Sequence, residues 1–432
     1  MFALLVICNV CILLCLLWLA NSSKLSFLRG SALNPITFVA ILNLFFMLDF
    51  IGLYFDPVVD IYEEPFPVYE IDIIYGYAFY LCSLMFITIG IGLGLQNDNS
   101  NSNKFITYLS SISKSYTNIA YLLILAACIF AASILLLSLS DLVSGNLTRQ
   151  TYFSDNKLLN IAFSTLPIAF GFYLMGKSPL SVYAILSLLI CSLVIFATGS
   201  RGAVILILIV FAYSVNSNIK KIPTVSYLVA IPFIAGLLLS IRYFFRTSMQ
   251  YDSIFSFVQD NGGLFSIFFN TAEISMAEVI VTIVKWGDQV SRYPFESFVS
   301  GLMYPLPRSI FTFKPLGAGG AFTEEFSPVR WDLTRSEIVT TGFGDLYLQF
   351  GFIGSLICVF ILAYLWTRLL QSSLSILGIS SIVIVPFLMW WAYIFLRSGI
   401  FNMAGDIWSF MLVVVIIRLI SVFELNRNER KR

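Results

Sequence analysis

GFGDLYLQFGFIGSLICVFILAYLW, residues 342–366, decides the fold. Asp345 is its one charged residue, and a helix of this length is long enough to cross a hydrocarbon core of about 30 Å. Water is missing from that core, so backbone N–H and C=O groups must bond to one another, as they do within a helix. Similar runs recur along the chain. Eleven spans are placed, at about residues 2–20, 33–54, 73–95, 118–140, 158–175, 179–197, 202–216, 223–241, 342–366, 375–396 and 405–423. The seventh barely reaches across and rests on its flanks. The first lacks the basic start of a signal peptide and runs straight to Lys24 and Arg29, so it is read as a retained helix. The expected fold class is an all-α polytopic integral membrane protein, a single transmembrane domain over residues 1–432.

Composition points the same way. Of the 432 residues 59% are hydrophobic and only 11% charged, against about 25% charged in a soluble domain. Mean hydropathy is +0.89. The distribution of charge sets an orientation. Lys24, Arg29, Lys104, Lys114, Lys177, Lys220, Lys221, Arg368, Arg427, Arg430, Lys431 and Arg432 fall on one side of the spans. On the other side fall the acidic segment holding Asp56, Asp60, Glu63, Glu64, Glu70 and Asp72, and the long segment 242–341. The basic side is read as cytoplasmic, which puts the C-terminus inside and the N-terminus and the long loop outside. A net charge of +1, spread over short loops, offers no basic domain to track a phosphate backbone, so no nucleic-acid partner is expected. Cys8, Cys11, Cys15, Cys82, Cys128, Cys191 and Cys358 all lie in apolar spans and read as small buried hydrophobes.

Between the spans, residues 96–117 are rich in Asn and Ser and read as a linker, while Pro57, Pro65 and Pro67 disfavour continuous helix in 55–72. The long loop 242–341 carries eight cations: Arg242, Arg246, Lys285, Arg292, Arg308, Lys314, Arg330 and Arg335. Within it, 264–284 is apolar apart from Glu273 and Glu278 and suits a helix that either packs on the bundle or lies in the membrane interface. Gly317, Gly319 and Gly320 then form a flexible, turn-rich stretch that admits conformations and close approaches other residues resist.

The arginines are the candidates for anion binding. Arg201 opens the seventh span beside Gly199, Ser200 and Gly202, where it serves either as an interfacial anchor or as a phosphate ligand. Arg242 and Arg246 stand one helical turn apart at the end of span eight, a spacing that lets two guanidinium groups grip separate oxygens of a diphosphate. Arg397 ends span ten on the same side, and Arg308 follows Pro307, whose ring fixes the backbone. For a proton acceptor the carboxylates at the end of the loop are the choice, Glu337 first and Asp345 as the alternative, with Glu273 and Glu278 behind them. The chain contains no histidine, which removes Ser-His and Cys-His catalysis, and its acidic residues show no clustered metal motif. No cofactor or metal is expected.

Three features together resemble the Wzy-type O-antigen or oligosaccharide repeat-unit polymerases of bacterial envelopes. They are SRGA at Ser200 to Ala203, the PR pair at Pro307 and Arg308, and SEIVTTGFGDLYLQFGFIG at Ser336 to Gly354 after a Gly-rich stretch. The resemblance implies a GT-C-like glycosyltransferase architecture in the bacterial inner membrane, with the active site facing the periplasm. It implies undecaprenyl-diphosphate-linked glycans as donor and acceptor, membrane lipids as surroundings and a chain-length regulator as a further partner. Arg201, Arg242 and Arg308 would neutralise the departing diphosphate, with Arg246 and Arg397 behind them, and Arg308 would also act in catalysis beside Glu337 or Asp345. The related O-antigen ligases normally use a histidine in the large outer loop, which this chain lacks. A lipid-linked oligosaccharide flippase or a polysaccharide exporter is the alternative from another class; it would ordinarily show internal repeats or more charge within its helices.

Overall fold

The structure, a computed structural model, describes residues 1–21, 33–55, 57, 59–61, 64–66, 68–96, 114–136, 157–175, 177–197, 201–219, 254–260, 263, 276–287, 294–306, 310–334, 338–375 and 381–429. The helices are α1 (Phe2–Ala20), α2 (Pro35–Phe55), α3 (Glu70–Gln96), α4 (Lys114–Leu136), α5 (Lys157–Leu174), α6 (Val182–Ala197) and α7 (Arg201–Asn218). After them come the short α8 (Ile254–Asp260), α9 (Ala277–Trp286), α10 (Glu296–Leu302), α11 (Ala318–Phe326) and α12 (Pro328–Thr334), then the long α13 (Thr341–Ser375) and α14 (Ser381–Glu429). Two antiparallel strands, β1 (Val59–Ile61) and β2 (Glu64–Phe66), form a small hairpin between α2 and α3. The eighth expected span, 223–241, lies outside the described residues.

Among the described residues five helical stretches are long and apolar enough to cross a membrane: Phe2–Ala20, Pro35–Phe55, Glu70–Gln96, Thr341–Ser373 and Ile382–Phe423. Four shorter apolar helices accompany them, Ser115–Ala131, Phe163–Leu174, Val182–Ile195 and Ala203–Asn218. The protein is therefore an all-α, multi-helix membrane protein. In α1 only 17% of the apolar window is buried, so most of that helix is left to face lipid.

Tight packing centres on α3. A Cβ on Gly76 would come within 2.9 Å of the Val281 backbone, and one on Gly90 within 2.8 Å of the Phe360 carbonyl. These small residues let α9 and α13 lie directly on α3, the arrangement by which helices gain van der Waals contact where no hydrophobic force separates protein from lipid. Polar residues help to set the register between α1, α2 and α3. The Tyr80 hydroxyl donates to Asn43 Oδ1 at 2.7 Å, Asn43 Nδ2 to Asn9 Oδ1 at 2.8 Å, and Asn9 Nδ2 to the Tyr77 hydroxyl at 3.0 Å. All four residues are buried, and each finds its partner on a neighbouring helix.

The last element is not one rod. The Phe387 and Phe410 rings stack with centroids 4.7 Å apart, and Trp390 Nε1 donates to Asp406 Oδ2 at 2.9 Å. Residues so far apart along a straight helix would be about 30 Å distant. The chain doubles back at Gly399, whose φ of 83° and ψ of −178° leave the helical region. Residues 397–404, expected as a connecting segment between two spans, are helical on both sides of that single glycine. A second break at Gly351, with φ 67° and ψ −170°, divides α13 into a buried run at 341–350 and a longer helix beyond it. The folded-back α14 packs against α2, α4, α5, α7, α10 and α13.

Candidate functional site

The tip of the α14 hairpin, the first turns of α13 and the described parts of segment 276–340 meet at one end of the bundle, here termed the loop end. Two carboxylates tie α9 down there. Asp49 Oδ2 of α2 accepts from the Ala277 backbone N–H at 2.7 Å, filling one of the free donor positions at the start of α9. Lys285 Nζ, near the other end of α9, pairs with Asp72 Oδ2 at 2.7 Å. Asp49, a charge within an apolar helix, thus has a local structural role. From Met276 to Ile283 seven of the eight residues are buried, so the described part of 264–284 packs on the bundle; residues 264–275 lie outside the described residues.

Asp345 is the centre of the loop end. It is 2% exposed, and its oxygens receive donors from three helices. Ser297 Oγ of α10 donates to Oδ1 at 2.6 Å, Gln349 Nε2 of α13 donates to the same oxygen at 3.1 Å, and the Ile400 backbone N–H donates to Oδ2 at 2.7 Å. Ser297 Oγ also accepts from the Ala318 N–H at 2.9 Å, which links α11 to the cluster. The helix after Gly399 starts with backbone N–H groups that have no partner within it, and a carboxylate is the favoured acceptor at such a terminus. One buried group therefore joins α10, α11, α13 and the hairpin tip. The fit at the tip is close: a Cβ on Gly399 would stand 2.8 Å from Asp345 Oδ2. The Gly399→Ala protein is expected to lose stability through both the extended positive-φ backbone, which is essentially restricted to glycine and costs about 1–3 kcal/mol, and displacement of the carboxylate. Thermal unfolding in detergent measures it, and a midpoint equal to that of the wild type would contradict the arrangement.

The loop itself is anchored on this tip. Trp408 Nε1 donates to the Gly301 carbonyl at 3.0 Å, and the Tyr304 ring lies 5.2 Å from that of Phe401. Lys314, only 4% exposed, donates from Nζ to the carbonyls of Tyr304 and Leu306, each at 3.1 Å. This cation ties residue 314 to the chain just before the Pro307–Arg308 pair. Thr341, buried and β-branched, has φ 58° where the loop enters α13, and its Oγ1 accepts from the Gly344 N–H at 3.0 Å. Such a conformation costs about 1–3 kcal/mol and persists only where its surroundings hold it.

The sequence-derived candidates divide by position. Arg397 is half-buried two residues before Gly399, at the hairpin tip. Arg201 is the first residue of α7, but its side chain lies outside the described residues. Arg242, Arg246, Arg308 and Glu337 lie outside them altogether. Gly317 precedes α11 with φ 89°, whereas Gly319 and Gly320 are in its first turn, so two short helices stand where a turn-rich stretch was expected. Glu273 is outside the described residues and Glu278 is in the first turn of α9. Sequence reading missed Ser297, Gln349 and Lys314 as parts of the loop-end structure. Gln349 had a signal, since it stands four residues after Asp345 on the same helix face; Ser297 and Lys314 had none. Among the described residues no group of three or more Cys, Asp or Glu is placed to hold a metal ion.

A many-helix membrane bundle with an arginine at a folded helix tip, against which Gly301 and Tyr304 of the loop pack, defines a polytopic membrane protein with its polar centre at one face. Residues 1–305 match the family of the O-antigen polysaccharide polymerase Wzy, and the chain belongs to that family. The match covers Arg201, Arg242 and Arg246 and ends before Arg308, Asp345 and Arg397. No curated protein and no solved structure matches the chain.

Proposed function

We propose that the protein polymerises undecaprenyl-diphosphate-linked oligosaccharide repeat units at the periplasmic face of the inner membrane. The observation that carries this reading is membership of the Wzy polymerase family over residues 1–305. The nonreducing-end hydroxyl of a new lipid-linked unit attacks the anomeric carbon of the growing glycan. A glycosidic C–O bond forms, the C–O bond to the diphosphate breaks, the hydroxyl proton passes to a carboxylate, and undecaprenyl diphosphate leaves. In this reading the bundle has eleven crossings in a GT-C-like arrangement, the loop end is periplasmic, the C-terminus is cytoplasmic, and a chain-length regulator is a further partner.

Arg201, Arg242, Arg246, Arg308 and Arg397 are assigned to the diphosphate, where preorganised donors stabilise the charge that develops on the leaving group. Tyr304 packs on Phe401 at the tip that carries Arg397, and Lys314 bonds to the Tyr304 and Leu306 carbonyls, which supports grouping the nearby Arg308 with it. Glu337 is the favoured base. Asp345 is the alternative, and its hydrogen bonds from Ser297, Gln349 and Ile400 in the buried cluster weigh towards Glu337. The deciding experiment is genetic: loss of the protein should abolish polymer while single lipid-linked repeat units accumulate on the outer face. Failure of outward delivery would indicate a flippase instead, and polymer stranded on its lipid a ligase.

Two expected outcomes belong to this reading. Tags after Arg432 and within Asn99–Asn103 should be cytoplasmic, and positions in 58–66 and 310–330 should be reachable from outside; labelling of Ser327 only after the cytoplasmic face is opened would reverse the orientation. Purified protein given an undecaprenyl-diphosphate-linked repeat unit should form polymer without nucleotide sugar and in excess EDTA, since the chain has no histidine to build a typical zinc site. Full, reversible dependence on an added divalent cation would defeat the metal-free mechanism.

A further inference from the structure

Below the loop end the bundle holds a cavity of about 290 Å³, walled by α2, α3, α13 and both arms of the α14 hairpin. Its wall is almost wholly apolar: Ile87, Leu362, Trp391, Leu396 and Met403 are typical. Leu365 on its rim is 52% exposed, so the cavity opens sideways to the surroundings of the bundle. Its upper end lies near the hairpin tip. Leu396 and Met403 stand three residues before and four after Gly399, and Trp391 and Ile407 eight on either side, so its lining on the hairpin lies about 5 to about 12 Å beneath the tip, while its α13 wall runs about 15 Å from Val359 to Leu369. Arg397 follows Leu396 directly, at the tip.

We infer that this cavity takes the first isoprene units of the polyprenyl chain of the lipid-linked glycan, with the diphosphate held above it at the Arg397 tip. The inference rests on the polymerase reading for the identity of the lipid and on the geometry for its place. A cation above a wide, apolar, laterally open cavity fits an amphiphile whose anionic head is joined directly to a bulky hydrocarbon chain. The methyl branches of a prenyl chain give it the girth to fill a space walled by tryptophan and branched aliphatic side chains. A sideways opening lets a chain that remains in the bilayer enter without leaving it. Held in this way, the chain would bring the phosphate-bound anomeric carbon to the loop end and restrict its motion there.

The test uses the full-length protein in nanodiscs and undecaprenyl diphosphate bearing a diazirine in its first isoprene units, with no glycan attached. A phosphatidylglycerol carrying a diazirine on its acyl chain is the comparison probe. Mass mapping should place the prenyl label in residues 359–369 or 391–407, and excess unlabelled undecaprenyl diphosphate, but not phosphatidylglycerol, should compete it away. Ala392→Trp and Met403→Trp, which fill the cavity from opposite arms of the hairpin, should each reduce that labelling about tenfold, as expected for excluding a few buried methylenes. Prenyl label confined to other segments of the wild-type protein, or equal labelling of these segments by the phospholipid probe, would overturn the inference. Specific prenyl labelling in a protein that makes no polymer from a glycan-bearing substrate would leave the cavity assignment standing and remove the polymerase reading.

Discussion

The Asp345→Ala protein is expected to unfold far below the wild type in thermal melts, even without substrate. Alanine would strip the acceptor from Ser297 Oγ and the Ile400 N–H, and one of two acceptors from Gln349 Nε2, which keeps the residue 345 carbonyl, at a position only 2% exposed. Each buried donor left without a partner costs about 1–3 kcal/mol, and donors to a carboxylate lie at the upper end. Asp345→Asn should be milder. Its amide oxygen can still accept from one side, and the Ser297 hydroxyl can turn to accept from the amide nitrogen. A general base would show a different pattern: Asp345→Asn would melt like the wild type and bind substrate, yet slow the chemical step, as Glu337→Gln should if Glu337 is the base. Single-turnover rates and melting midpoints for the same three variants separate the two roles. An unchanged midpoint for Asp345→Ala would refute the structural role, and unchanged chemical steps in both amide variants would send the search to Glu273 and Glu278.

The second large effect concerns the arginines. Arg201→Ala, Arg242→Ala and Arg308→Ala should each reduce polymer sharply at normal protein level. Loss of a buried charged hydrogen bond costs about 2–5 kcal/mol, equivalent to a fall of roughly thirty-fold to several thousand-fold. Lysine should rescue poorly, because a point charge on a flexible stem does not replace a planar fork that holds two oxygens. The effect should appear in the rate with lipid-linked substrate and not in the melting midpoint, the reverse of the pattern for Asp345→Ala. Near-normal polymer from all three alanine variants would remove the diphosphate site.

Arg397 links these two expectations. It lies two residues from the glycine at which α14 reverses, and Asp345 holds that reversal by its first backbone N–H. Loosening the tip would move the arginine, so Asp345→Ala should also raise the concentration of lipid-linked substrate needed for half-maximal rate.

Much of the secondary structure was legible because it follows from local composition. A run of apolar side chains long enough to cross a bilayer must close its own backbone hydrogen bonds, so helices such as Phe2–Ala20, Pro35–Phe55 and Glu70–Gln96 could be placed within a few residues from the sequence. Local composition also singled out Asp345, the one charge in 342–366, and Arg397 at the end of its span. It did not show that the last two spans join through Gly399 alone, or that α13 breaks at Gly351, since RSGI and FGFI read equally well as continuous helix or as turn. Nor could it assign partners. Asp345 bonds to Ser297 and Ile400, 48 and 55 residues away, and Asp49 caps a helix 228 residues further on. Hydrophobicity acts on each segment wherever it lies in the fold, whereas a buried N–H or carboxylate is stable only opposite one complementary group. The amino-acid sequence by itself determined a bundle of membrane helices with eight of its 25 cations in one long loop. Only the tertiary structure decided that the loop packs on the tip of a folded-back helix, and that a carboxylate chosen for its chemistry is the point where four segments are joined.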